Sequence, residues 1–273
     1  MIGGLDATGT ANSLVQTFDF AANNWGTAAS LPNPRAMFGA ASDASGHIAV
    51  AGGTDRFTTF DSCEIYDPTL GGWSSAPTLP ASRTELGLAY DTSGNLYALG
   101  GTLSSGLSDT NEVDVLAPGG SSWSTTTSMP DARDGFGVVT DLDGRIVVIG
   151  GTTPAGDTLS TVKAFDPSTH SWTSLPSLTT GRAYLAAVVG PDGTIYAIGG
   201  AVVGQVPPLT AVEALPRGGS SWVTLAALPN PREAGGAVFG TDGRLYVFGG
   251  DGWDASEPIS TVDVYSTSTH TWQ

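Results

Sequence analysis

The chain has 273 residues, 38 of them glycine and 17 proline, with 40% hydrophobic and 13% charged residues and a formal net charge of −16. The apolar share is enough to fold, and the glycine shows no three-residue period, so the composition excludes a disordered tail and a collagen. The longest apolar runs, such as Tyr184–Val189 and Ile146–Ile149, fall far short of the ~18 residues a membrane helix needs, and the acidity, with Lys163 the single lysine, excludes a nucleic-acid partner.

In chain order, six units follow one another, at residues 1–30, 31–78, 79–128, 129–177, 178–227 and 228–273, within one domain spanning 1–273. The first opens on Met1-Ile2-Gly3-Gly4, which reads as the tail of a strand, and holds Trp25. The second carries Arg35, Gly52-Gly53, a loop over 54–62 with Phe57 and Phe60, a strand Ser62-Cys-Glu-Ile-Tyr66, and Trp73. The third carries Arg83, Glu85, Gly100-Gly101 and Trp123. The fourth, with Arg133, shows the pattern most clearly. There, strands are predicted over 136–140 and 145–149 around the turn Asp141-Leu-Asp-Gly144, a third over 160–165, and a fourth opening at Trp172. The fifth carries Arg182, Tyr184, Gly199-Gly200 and Trp222. The sixth carries Arg232, Gly249-Gly250, a loop over 251–258 with Trp253, and Trp272.

The Gly-Gly pairs recur at spacings of 49, 48, 50, 49 and 50, and the tryptophans Trp25, Trp73, Trp123, Trp172, Trp222 and Trp272 at 48, 50, 49, 50 and 50. Five arginines keep the same register. No stretch of ten residues has helical periodicity. Four short strands per ~49 residues make a small sheet that cannot bury both faces alone, and radial stacking of such sheets gives an all-β propeller.

The Gly-Gly pair after an apolar strand, the aromatic-Asp-Pro turns Tyr66-Asp67-Pro68 and Phe165-Asp166-Pro167, and the Trp six residues past that Asp resemble Kelch repeats along the whole chain. The low lysine and high Ala, Gly, Thr and Ser content suggests a bacterial source. The resemblance implies a Kelch-type β-propeller of six or seven blades, each of four antiparallel strands. Alternate units pair (Leu116–Trp123 with Leu215–Trp222, Asp166–Trp172 with Ser266–Trp272), which favours six blades. The first and last blades look incomplete, by about 20 residues against six full units of ~49. A fragment of a longer chain is expected, or else a first blade of three strands.

In such a fold the loops after the Gly-Gly pairs and the connections between units open at one end of the sheets. Candidate ligand-binding residues there are Arg35, Arg83, Arg133, Arg182 and Arg232. Two readings stand. Five guanidiniums against the neighbouring Glu85, Asp134 and Glu233 would form a pocket of about +2 for anionic groups. Alternatively, each arginine ties loops together as part of the scaffold. Kelch substrate adaptors bind acidic peptides with similarly placed arginines, which the resemblance implies here.

Positions two after each arginine are all different (Met37, Glu85, Gly135, Tyr184, Ala234), as a shaped pocket would show. Trp253 and Phe57 could supply apolar walls, or pack on their own blades. The loop carboxylates Asp6, Asp55, Asp61, Asp109, Asp157, Asp251 and Asp254 read mainly as solvated turn residues. Asp141–Gly144 is a hairpin turn rather than a calcium loop.

Little points to catalysis. His170 and His270 occupy matching turns, and His47 another. The copper site of galactose oxidases, also Kelch-like, has no counterpart, and the Glu-x3-Asp-x3-His pattern of plant specifier proteins is absent. One cysteine, Cys63, allows no disulfide or cysteine metal cluster. No cofactor and no metal are expected.

The expected function is non-catalytic recognition of a peptide, protein or glycan at the loop end. The alternatives are a sugar-active enzyme in the same pocket, using Glu85, Glu233, Arg133 and Tyr184, and a structural segment of a larger secreted protein. No basic-then-apolar leader follows Met1. An extracellular or cell-surface location is the expectation, and the oligomeric state is left open.

Overall fold

The computed structural model describes residues 1–104, 108–252 and 258–273. Every regular element among them is a β-strand. They form two compact units, Met1–Asp134 with Pro167–Ser171, and Gly135–Asp166 with Trp172–Gln273.

In the first unit, Gln16–Asp19 pairs with Asn24–Thr27, and an isolated bridge joins Ile2 to Val15. One four-stranded antiparallel sheet follows, in the order Gly39–Ser42, Ile48–Ala51, Cys63–Asp67, Gly72–Ala76. Another runs Gly87–Tyr90, Leu96–Leu99, Val113–Leu116, Ser124–Thr125. The second unit repeats the meander three times. Its sheets begin at Gly137–Thr140, Ala186–Val189 and Gly236–Phe239 and end at Ser171–Leu175, Val223–Thr224 and Thr271–Trp272. The strands predicted over 136–140, 145–149 and 160–165 are Gly137–Thr140, Ile146–Ile149 and Val162–Asp166.

Burial follows from sheets stacking face to face within each unit. The second strands Leu96–Leu99, Ile146–Ile149, Ile195–Ile198 and Leu245–Phe248 are buried along their whole length. Apolar runs without alternation are what that position requires. Val147, Ile149, Leu185, Ala197 and Leu215 share one core; Ala49, Leu86, Leu88, Ala98 and Leu116 share another. Gly39 is small because Leu88 fills its space: a Cβ there would lie 2.7 Å from Leu88 Cγ.

The tryptophans act as fasteners. Trp73 donates Nε1–H to Ala29 O at 2.7 Å, and Trp123, Trp222 and Trp272 donate to Pro77 O, Pro176 O and Ala226 O at 2.8 Å. Each reaches back about one repeat.

Candidate functional site

The arginines and Gly-Gly pairs form one device. The backbone carbonyl of Arg35, Arg83, Arg133, Arg182 and Arg232 accepts the N–H of the second glycine of the preceding repeat: Gly4, Gly53, Gly101, Gly151 and Gly200, at 2.8–3.0 Å. Those glycines sit at positive φ. A Cβ on Gly53 (φ 87°) would come within 2.6 Å of Ala36 O, so no larger residue fits. The side chains of Arg35, Arg83, Arg182 and Arg232 reach the other way, into their own sheets. Arg35 donates to Gly52 O at 3.0 Å, to Ser62 Oγ at 2.8 Å and to Glu64 Oε1 at 2.8 Å, and lies over the Phe60 ring. Arg83 pairs with Asp114, Arg182 with Glu213 and Arg232 with Asp263. Their Nη1 groups bond the carbonyls of Gly100, Gly199 and Gly249.

All five arginines are 0–2% exposed. Burial lowers the pKa of Arg133 and Arg232 and brings that of Arg182 down to about 10, leaving it a cation at neutral pH. The side chains expected to line an electropositive pocket are thus buried. Four are neutralised by buried carboxylates of their own sheets, and Arg133 pairs with Asp131 at 3.0 Å. Their contacts are those of the loop-tying role. The partner acids, Glu64, Asp114, Glu213 and Asp263, were legible as a register 29–31 residues after each arginine, yet the sequence reading overlooked them. In the fourth repeat that position is Lys163, which bonds Ser174 Oγ at 3.0 Å.

The positions two after each arginine share a backbone state. Met37, Glu85, Gly135, Tyr184 and Ala234 all have φ between 53° and 56°, and four of the five are not glycine. Left-handed backbone costs a side-chain-bearing residue ~1–2 kcal/mol and persists where surroundings enforce it. Here the enforcement is backbone hydrogen bonding. In the first unit Glu85 N–H donates to Met37 O at 2.7 Å. In the second, Tyr184 N–H donates to Gly135 O at 2.6 Å and Ala234 N–H to Tyr184 O at 2.7 Å. Gly135 must be glycine for a further reason, since a Cβ would lie 2.8 Å from Tyr184 Cε1. Met37 is 49% exposed, and Glu85 and Tyr184 are half-buried.

Around Glu85 the first unit collects carboxylates. Arg83–Thr84, Thr102–Leu103 and Ser108–Asp109 make a small three-stranded sheet. Thr102 Oγ1 lies 2.8 Å from Asp134 Oδ2 and 3.2 Å from Asp109 Oδ1. Burial and the neighbouring Asp134 push the Asp109 carboxyl up to about 6. In the second unit Glu233 faces Asp251 across a bridge; burial, then Asp251, raises Glu233, and burial raises Asp251. Phe57 is 95% exposed on a loop held by Asp55 Oδ1, which accepts the N–H of Phe57 and of Thr58. Trp253 and Asp254 lie outside the described residues. Among the described residues no three His, Cys, Asp or Glu side chains are placed to hold a metal ion.

A family model, the KLHDC2/KLHL20/DRC7 Kelch-repeats domain, matches residues 84–273, more than half of the chain. The chain belongs to this Kelch-repeat family. A solved structure described as "Structure of YjhT" matches with a TM-score of 0.80 at 17% identity, covering 100% of this chain and 96% of that one, a likeness that concerns the fold. No curated protein matches the sequence. The fold is a Kelch-type β-propeller, an architecture that usually serves protein interaction and fits a binding or scaffold role.

Proposed function

We propose that this Kelch domain is a protein-recognition module whose first unit takes a basic segment of its partner at the loop end. One observation carries the reading: the arginines are withdrawn into the sheets while the carboxylates stay at the surface. Asp6, Asp55, Asp61, Glu85, Asp109 and Asp134 are exposed or half-buried there, and Arg56 is the exposed guanidinium among them. A lysine or arginine brought to Asp109 and Asp134 relieves the repulsion that raises Asp109. Phe57 adds an apolar anchor of the kind that dominates protein interfaces.

The test is fluorescence anisotropy with labelled Lys/Arg-rich and Glu-rich peptides of equal length. The basic peptide is expected to bind, more weakly at 200 than at ~50 mM salt because the exposed charges are screened. Asp109→Asn with Asp134→Asn should weaken it at least ~10-fold, about 1.4 kcal/mol. Preference for the acidic peptide would refute the reading and return the arginines to the site.

A further inference from the structure

At the opposite, hairpin end of the sheets, the second unit holds a cleft of about 240 Å³ between the turn Asp141–Gly144 and the turn 216–219. Its floor is apolar, from Leu175, Ile195 and Leu215, with Leu142 at the rim, 53% exposed. Two guanidiniums stand over that floor. Arg145 is paired first with Asp141, whose Oδ2 accepts Nε–H at 2.9 Å and lies 2.7 Å from Nη2, while Asp143 Oδ2 lies 3.3 Å from Nη2. Arg217 donates Nη2–H to Asp143 Oδ1 at 2.5 Å, and its stem packs across Gly193, where a Cβ would lie 2.9 Å from Arg217 Cδ.

Arg217 departs from the repeat: the aligned positions in the second, third, fourth and sixth repeats are Pro68, Pro118, Pro167 and Thr267. Asp143 and Arg145 are shared with the sixth repeat, as Asp242 and Arg244, whereas Leu142 stands where the second repeat has Ala44 and the sixth Thr241. Sheet stacking at the other turns works without an arginine at the Arg217 position, so stacking alone does not require it.

We propose that this cleft binds a small organic carboxylate with an apolar body. The apolar part lies on Leu175, Ile195 and Leu215, and the carboxylate takes the donors that Asp143 leaves open, Nε and Nη1 of Arg217 and Nη1 of Arg145. Guanidinium is the side chain best matched to a carboxylate, since it presents parallel N–H donors. The volume sits just below the ~300–1,000 Å³ of typical small-molecule pockets, so the ligand is small. Asp143 then acts as an internal stand-in for the ligand's carboxylate and competes with it for both arginines.

That competition separates ligand binding from a mere ion-pair clamp. The experiment titrates 4-phenylbutyrate, and its neutral counterpart 4-phenylbutanol, into the full chain, followed by amide NMR shifts and calorimetry. The acid is expected to bind in the millimolar range or better, with shifts at residues 142–145 and 216–219, and the alcohol at least ~10-fold more weakly. Asp143→Asn should tighten the acid severalfold, while Arg217→Ala should weaken it at least ~10-fold, the loss of one charge-assisted contact. Near-neutral melting temperatures and unchanged amide spectra elsewhere identify both variants as folded. Equal binding of acid and alcohol, no binding of the acid at 10 mM, or an Asp143→Asn effect of the same sign as Arg217→Ala would each overturn the proposal.

Discussion

Arg182 offers the sharpest test of the fastener reasoning. Both it and Glu213 are at most 1% exposed, so the pair has no solvent to fall back on. Arg182→Met keeps much of the volume but removes the donors to Gly199 O at 3.3 Å and Ala211 O at 3.1 Å. It also leaves the Glu213 carboxylate buried, with the Thr179 N–H still donating to it at 3.0 Å. Breaking a buried pair from one side costs about 3–5 kcal/mol. For a chain of this size each kcal/mol lowers Tm by ~2–4 °C, so the variant should melt about 6–20 °C lower. Combining it with Glu213→Leu removes the stranded charge, and about half or more of the loss should return. Differential scanning calorimetry at pH 7 on the wild type, each single variant and the double variant measures all of this. A drop under ~2 °C for Arg182→Met, or losses that simply add in the double variant, would show that the arginine is not a structural tie.

Three further outcomes follow from the same geometry. Asp109 has a folded pKa of about 6, above its ordinary value, so its contribution is present below pH ~4 and is lost as pH rises towards 6. Asp109→Asn should therefore stabilise the fold at pH 7 by about 1 kcal/mol, after discounting for solvent screening, and leave pH 4 unchanged, as urea melts at the two pH values would record. Ala234→Gly, at φ 53°, should raise stability by ~0.5–1 kcal/mol, whereas Gly135→Ala should lower it and shift the Tyr184 ring resonances, since the new Cβ meets that ring. Gly53→Ala should cost more than Gly135→Ala, because its Cβ would run into the carbonyl of Ala36 rather than a movable side chain; thermal melts rank the three.

Much of the fold was legible because its joints recur. Each Gly-Gly pair and arginine belongs to one contact made over and over, and contacts made over and over leave a period in the sequence. The strand boundaries within the fourth repeat fell within a residue or two for the same reason. What the arginines do was less legible. Seen singly, an arginine before an inner strand suits either a ligand or a scaffold, and the deciding fact, a carboxylate 29–31 residues on, lies in a third strand that otherwise reads only as apolar. The variable positions two after each arginine were picked out by their diversity, but their shared left-handed backbone leaves no mark except at Gly135. The meeting of Thr102, Asp109 and Asp134 depends on a loop returning beside its own strand, which no spacing encodes. Phe57 and Phe60 show the same limit: neighbours in one loop, one stands in solvent and the other lies beneath a guanidinium.

The repeated joint has a consequence for how such a chain can grow. The second to fifth repeats each carry a complete socket, the second glycine N–H, and a complete plug, the carbonyl of their own arginine. A copied unit thus arrives already able to dock onto either neighbour, with no matching change needed on the other side. Because the coupling runs through backbone atoms, the side chains two residues further on are released from holding the joint and can differ from copy to copy, constrained by their neighbours where they touch, as Gly135 is by Tyr184. An architecture assembled by duplication thereby acquires an asymmetric surface on a symmetric frame, with Met, Glu, Gly, Tyr and Ala at five equivalent places.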